Sequence, residues 1–78
     1  MKDIRVFGPG CGRCQQAYEL VLRVVDRLGF EADVRKVDDM LEMLRLNVLA
    51  TPTIVVDGEV KFAGRVPSEA ELERSLNA

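Results

Sequence analysis

ATPTIVVDGEVKFAGRVPSEAEL, residues 50–72, is the stretch whose reading decides the fold. Residues 53–56 are all β-branched, residues 59–63 alternate with Val60 and Phe62 among polar or small neighbours, and the two stretches read as strands. Asp57-Gly58 between them is a strong two-residue hairpin signal, because such a turn requires positive φ at its centre. A helix follows this hairpin. Ser68-Glu69-Ala70-Glu71 after Pro67 has the spacing of a capping box, and it opens a helix through Leu72 and Leu76. The chain therefore closes as strand, strand, helix.

Reading outward from that end, residues 4–7 predict a first strand, and Gly8-Pro9-Gly10 predicts a loop. Over residues 12–28, Ala17, Leu20, Val21, Val24 and Leu28 recur at helical spacing, and Gly29 stands where a left-handed cap belongs. Residues 32–37 alternate as a short strand. Asp38 or Asp39 then caps a helix whose apolar side is Met40, Leu41, Met43 and Leu44, ending near Asn47. Met40 and Met43 are expected to fill core. The order is β-α-β-α-β-β-α over a single domain, residues 1–78. Strands separated by helices are expected to be parallel and the closing hairpin antiparallel, giving a four-stranded mixed sheet with helices on both faces.

Composition narrows the possible functions. Eleven basic and thirteen acidic residues are mixed along the chain for a net charge of −2, and no basic run marks a nucleic-acid surface. No apolar run approaches the ~20 residues that span a bilayer. Charges interrupt the apolar residues of Met1-Lys2-Asp3-Ile4-Arg5-Val6-Phe7, so a cytoplasmic location is expected. With no histidine, neither Cys-His nor Ser-His catalysis is available.

The chain's two cysteines stand in Cys11-Gly12-Arg13-Cys14, where a strand gives way to a helix. The first N–H groups of a helix are unpaired and carry about half a positive charge, which favours a thiolate. Thiolates attack disulfides, and they also bind soft metals such as Cu(I). A structural staple fits poorly, since so short a loop constrains little of the unfolded chain. Reversible disulfide exchange and metal carriage both stay open on the loop alone.

Several features together resemble the thioredoxin and glutaredoxin superfamily, most closely its small thioredoxin-like redox-active disulfide proteins. They are Cys11-Gly12-Arg13-Cys14 after the first strand, Ala50-Thr51-Pro52-Thr53-Ile54 entering the third, the Asp57-Gly58 hairpin, Gly64 and the final helix. The resemblance implies a protein-disulfide oxidoreductase with no cofactor beyond its redox-active disulfide and no metal. It implies a cis Thr51-Pro52 bond beside the cysteines, with Cys11 attacking and Cys14 resolving the mixed disulfide. Small heavy-metal-binding domains share the local loop, but their order is β-α-β-β-α-β and lacks a counterpart of Thr51-Pro52. A soft-metal carrier and a non-catalytic interaction module are the alternatives.

The expected docking surface is Pro9, Gly10, Gly12, Ala50, Thr51, Pro52 and Gly64, small and almost uncharged, and suited to a protein backbone that adds as a strand. Protein disulfides and a reductase are the implied partners of a monomer. Arg13 is expected to favour the Cys11 thiolate. Tyr18 is expected to pack at the core or its rim, and Arg65 to lie on an exposed loop. The chain departs from the superfamily at Gly10, where thioredoxins carry tryptophan, and at Arg5, where they carry a buried carboxylate. Its Gly-Arg spacer and the lack of a Gly-Gly…Asp signature give no support for glutathione dependence.

Overall fold

The computed structural model describes residues 2–8, 12–29, 31–47 and 50–77. Its elements run β1 (Lys2–Phe7), α1 (Gly12–Leu28), β2 (Ala32–Val37), α2 (Met40–Arg45), β3 (Thr53–Val56), β4 (Glu59–Ala63) and α3 (Glu69–Asn77). The sheet order is β2-β1-β3-β4. β1 and β2 are parallel, whereas β3 is antiparallel to both β1 and β4. The sheet is mixed as expected, but β3 runs opposite to the direction its preceding helix suggested. α2 alone does not carry the chain back along the sheet: a six-residue strand climbs about 20 Å, six residues of helix span about 9 Å, and β3 begins at the end of the sheet where β1 and β2 finish. From the end of β2 the chain moves sideways past β1 and enters β3 from the same edge of the sheet.

Local chemistry sets the turns and helix ends. Asp57 and Gly58 have φ of 51° and 82°, as the hairpin requires. The Asp3 N–H donates to the Asp57 carboxylate at 2.8 Å, and the Asp57 N–H donates to the Asp3 carbonyl at 2.7 Å. This ties the hairpin to β1. Gly29, at φ 73°, ends α1. Asp39 caps α2 by accepting from the Leu41 N–H. In α3 the capping box is reciprocal: the Glu71 N–H donates to Ser68 Oγ at 3.1 Å, and the Ser68 N–H donates to Glu71 Oε1 at 3.0 Å.

Alternation along the strands builds two cores. Ile4, Val6, Ile54 and Val56 face α1 and α3, where Ala17, Val21, Val24, Leu72 and Leu76 close the main core. Burying Leu72 and Leu76, at 0% and 1% exposure, contributes about 1.5–3 kcal/mol each and is what holds α3. Phe7 and Val55 point to the other face, where α2 contributes Met43. Here the sequence expectation fails for Met40, Leu41 and Leu44, which are 72%, 66% and 66% exposed. A helix of fewer than two turns over this small cluster turns one apolar residue inward. Among the described residues no helix is long and apolar enough to cross a membrane.

Candidate active site

Phe7 stands opposite Thr53 in the antiparallel β1–β3 pair, so the residue after β1 and the residue before β3 meet at one edge of the sheet. Had β3 been parallel to β1, Pro52 would lie at the far end of the strands. At the meeting point the Gly8 N–H donates to the Val37 carbonyl at 2.9 Å, carrying the ladder one residue beyond β1. Gly8 has φ of +155°, a conformation that side chains rarely adopt.

The first turn of α1 places Gly12 and Arg13 at the surface and turns Cys14 inward. Cys14 is fully buried. Its sulfur rests on the backbone of Gly8, where a Cβ would overlap it; that same Cβ would stand 3.4 Å from Thr51 Cβ. Gly8 thus brings Cys14 and Thr51 to a common wall. Cys11, Pro9 and Gly10, all named from the sequence, lie outside the described residues.

The Thr51–Pro52 peptide bond is cis. Pro52 is buried, while Ala50 and Thr51 are exposed. Two hydrogen bonds brace this turn from β3 and β4. The buried hydroxyl of Thr53 donates to the Ala50 carbonyl, and the Gly64 N–H donates to the Pro52 carbonyl at 2.9 Å. Gly64 has φ of +80°, and a Cβ there would stand 3.2 Å from Ala50 Cβ. Arg13 joins the same group, its Nη2 donating to the Gly64 carbonyl at 3.4 Å. The structure therefore brings Gly12, Arg13, Cys14, Thr51 and Pro52 to one end of the sheet.

Two contributors escaped the sequence reading. Local sequence marks Gly8 only as part of a loop; its position directly after a strand and before a Cys-x-x-Cys is the signal that marks a close approach. Thr53 has the pattern of a β-former, although a lone hydroxyl beside the apolar Ile54-Val55-Val56 is itself a sign of a hydrogen-bonding duty.

Charges around the site are mostly paired. Arg65 forms a fork with Glu71 at 2.7 and 3.1 Å and lies 5.4 Å from the centre of the Phe62 ring. That fork, with the N–H of Ser68, holds the Glu71 carboxyl down to about 2. Arg5 lies on the α2 face of β1, 2.9 Å from Glu42 and 3.4 Å from Asp3. A guanidinium in a local ion cluster thus stands at the position where thioredoxins have a carboxylate. Tyr18 packs, half-buried, against the main core.

The thioredoxin domain family matches residues 2–77. A thioredoxin of Methanocaldococcus jannaschii is 39% identical over 78 residues, covering 100% of this chain and 90% of that protein. A thioredoxin of Methanothermobacter thermautotrophicus is 35% identical over 77 residues, covering 99% of this chain and 100% of that protein. Solved structures share the fold at low identity. Oxidised thioredoxin from Plasmodium falciparum has a TM-score of 0.65 at 17% identity, covering 97% of this chain and 78% of that one. A Staphylococcus aureus protein of unknown function has a TM-score of 0.74 at 14% identity, covering 97% and 88%. Matched along almost its entire length by the domain family and by two archaeal thioredoxins, the chain belongs to the thioredoxin family and is a thioredoxin-type redox protein.

Proposed function

We propose that the chain reduces protein disulfides through Cys11-Gly12-Arg13-Cys14 by way of a mixed disulfide. The observation that carries this reading is the fully buried Cys14 sulfur, packed on Gly8 beside Thr51 and the cis Pro52. A sulfur buried in this way cannot meet a folded protein directly, which suits the resolving role and leaves attack to Cys11. The Cys11 thiolate attacks one substrate sulfur, the substrate S–S bond breaks, and the first substrate thiol departs. Cys14 then attacks the Cys11 sulfur. The second substrate thiol is released and a Cys11–Cys14 disulfide forms. Two electrons pass to the substrate, and the protons of the two protein thiols end on the two substrate thiols through exchange with water.

Thr51, exposed at the mouth, offers its backbone to an extended substrate segment, with Gly12 leaving room for it and Gly10 assigned to the same docking surface from the sequence. Arg13 favours the Cys11 thiolate. Like its family, the protein works without a cofactor, on protein substrates and with a reductase as electron donor. In this reading it acts as a cytoplasmic monomer.

The test uses insulin as the disulfide substrate. Cys14→Ser should stall as a mixed disulfide on Cys11, Cys11→Ser should form none, and the parent should turn over. Soft-metal carriage predicts the reverse pattern: tight anaerobic binding of Cu(I) or Zn without insulin reduction, which would overturn the proposal. A non-catalytic module predicts that Cys11→Ser retains every partner interaction and that the parent reduces nothing.

A further inference from the structure

Arg13 sits on the rim of the cysteine site, exposed, and among the described residues it donates one long hydrogen bond to a neutral backbone carbonyl, that of Gly64. Among the described residues no carboxylate lies within ion-pair distance of it, in contrast to Arg5, Arg23, Arg27, Arg35 and Arg65. The neighbouring surface of Gly12, Ala50, Thr51 and Gly64 carries no charge. Arg65, two residues along from Ala63, has its charge matched by the two-point fork to Glu71. Arg13 thus sets a positive charge beside this uncharged patch on a chain whose net charge is −2.

The anchor to Gly64 also fixes where this charge stands. Gly64 is bonded to Pro52 and packs on Ala50, so the Arg13 guanidinium is held beside the segment proposed to receive the substrate backbone. A guanidinium has five N–H donors, and the Gly64 bond uses one among the described residues. An exposed guanidinium suits a carboxylate, which its fork grips better than any neutral group.

From this geometry we infer that Arg13 is a specificity-determining residue selecting protein disulfides whose reactive cysteine is flanked by Asp or Glu. The inference rests on the disulfide-reducing reading above. It differs from an effect of Arg13 on thiolate formation, because a change in Cys11 reactivity alters the rate with every substrate, whereas a docking charge alters the ratio between substrates.

The experiment measures kcat/KM for two disulfide-linked peptides, identical except for Asp or Lys on either side of the target cysteine. The parent should favour the Asp peptide about three- to fivefold at low salt, and the preference should fade towards unity at about 0.5 M salt. Arg13→Ala should bring the ratio to about one, Arg13→Lys should keep part of it, and Arg74→Ala, an equal loss of charge on α3, should leave it intact. A parent ratio near one, or a preference that survives Arg13→Ala, overturns the inference while leaving disulfide reduction standing. Reduction of neither peptide overturns both.

Discussion

The sulfur of Cys14 and the backbone of Gly8 touch so closely that a single methyl group on Gly8 would fall on the sulfur. The contact exists because β1 and β3 are antiparallel and the first turn of α1 folds back over their shared end. Gly8→Ala must displace Cys14, adjust the backbone away from φ +155°, or both. Overpacking of this kind costs about 1–3 kcal/mol, readable as a lower urea midpoint. In disulfide exchange the displaced sulfur should slow resolution, so a mixed disulfide accumulates even with both cysteines present. Gly12→Ala is the control: nothing stands within 4 Å of its added methyl, and stability should hold or rise by about 0.5 kcal/mol. Equal behaviour of the two variants would falsify this account of Gly8.

Thr53 braces the cis-proline turn from within the sheet. Its hydroxyl is buried and bonded to the Ala50 carbonyl, and valine reproduces its shape without the donor. Thr53→Val should cost about 1 kcal/mol. Because Ala50 leads into the exposed Thr51, the same change should lower kcat/KM for a protein disulfide more than for a small aromatic disulfide that needs no backbone docking. Equal losses with both substrates would assign Thr53 to stability alone.

Glu71 makes stability depend on acid. Its carboxyl, normally near 4.5, is held at about 2 in the folded chain, first by the Arg65 fork and then by the Ser68 N–H, against a small opposing effect of burial. A group with a depressed folded value stabilises fully above its unfolded value and loses that contribution as pH falls towards the folded one. The contribution is therefore present at pH 5 and fades between about 4.5 and 2. Glu71→Gln keeps a partner for the capping box but cannot ionise. Thermal midpoints measured from pH 6 to pH 2 should fall less steeply for the variant, with the curves converging at the acid end. Parallel curves would show that Glu71 has no such role.

The extents of α1, β3 and β4 could be read from the sequence because their signals are local. A 3.6-residue period runs up to Gly29, β-branched runs mark the strands, and Asp57-Gly58 permits one kind of turn. The capping box of Ser68 and Glu71 was equally plain, since both partners lie within one turn. The direction of β3 was not readable, because Ile54-Val55-Val56 has the same pattern in either direction. Direction is set by the pairing of Thr53 with Phe7 in the folded sheet, which no local pattern reports. The meeting of Gly8 with Cys14 was hidden for the same reason, since it follows from pairing Phe7 with Thr53 across 46 residues of sequence. The expectation of a cis Pro52 beside the cysteines rests on family resemblance alone, and the structure shows its Thr51 side near Cys14.

The inward and outward sides of α2 were the other misreading, and they yield a direct test. Met43 is 8% exposed and closes the cluster with Phe7 and Val55, whereas Met40 and Leu41 are 72% and 66% exposed. Truncating Met43 leaves a cavity over Phe7, so Met43→Ala should cost about 2–4 kcal/mol. Met40→Ala and Leu41→Ala remove side chains already in water and should each stay within about 0.5 kcal/mol of the parent. Chemical denaturation of the three variants decides the matter. Because Phe7 lies one residue before Gly8, the Met43 variant should also loosen the end of β1. Its amide hydrogen exchange should rise at Phe7 and Gly8 while that of α3, on the opposite face, changes only with global stability. A uniform rise across the chain would instead make Met43 an ordinary contributor to the whole fold.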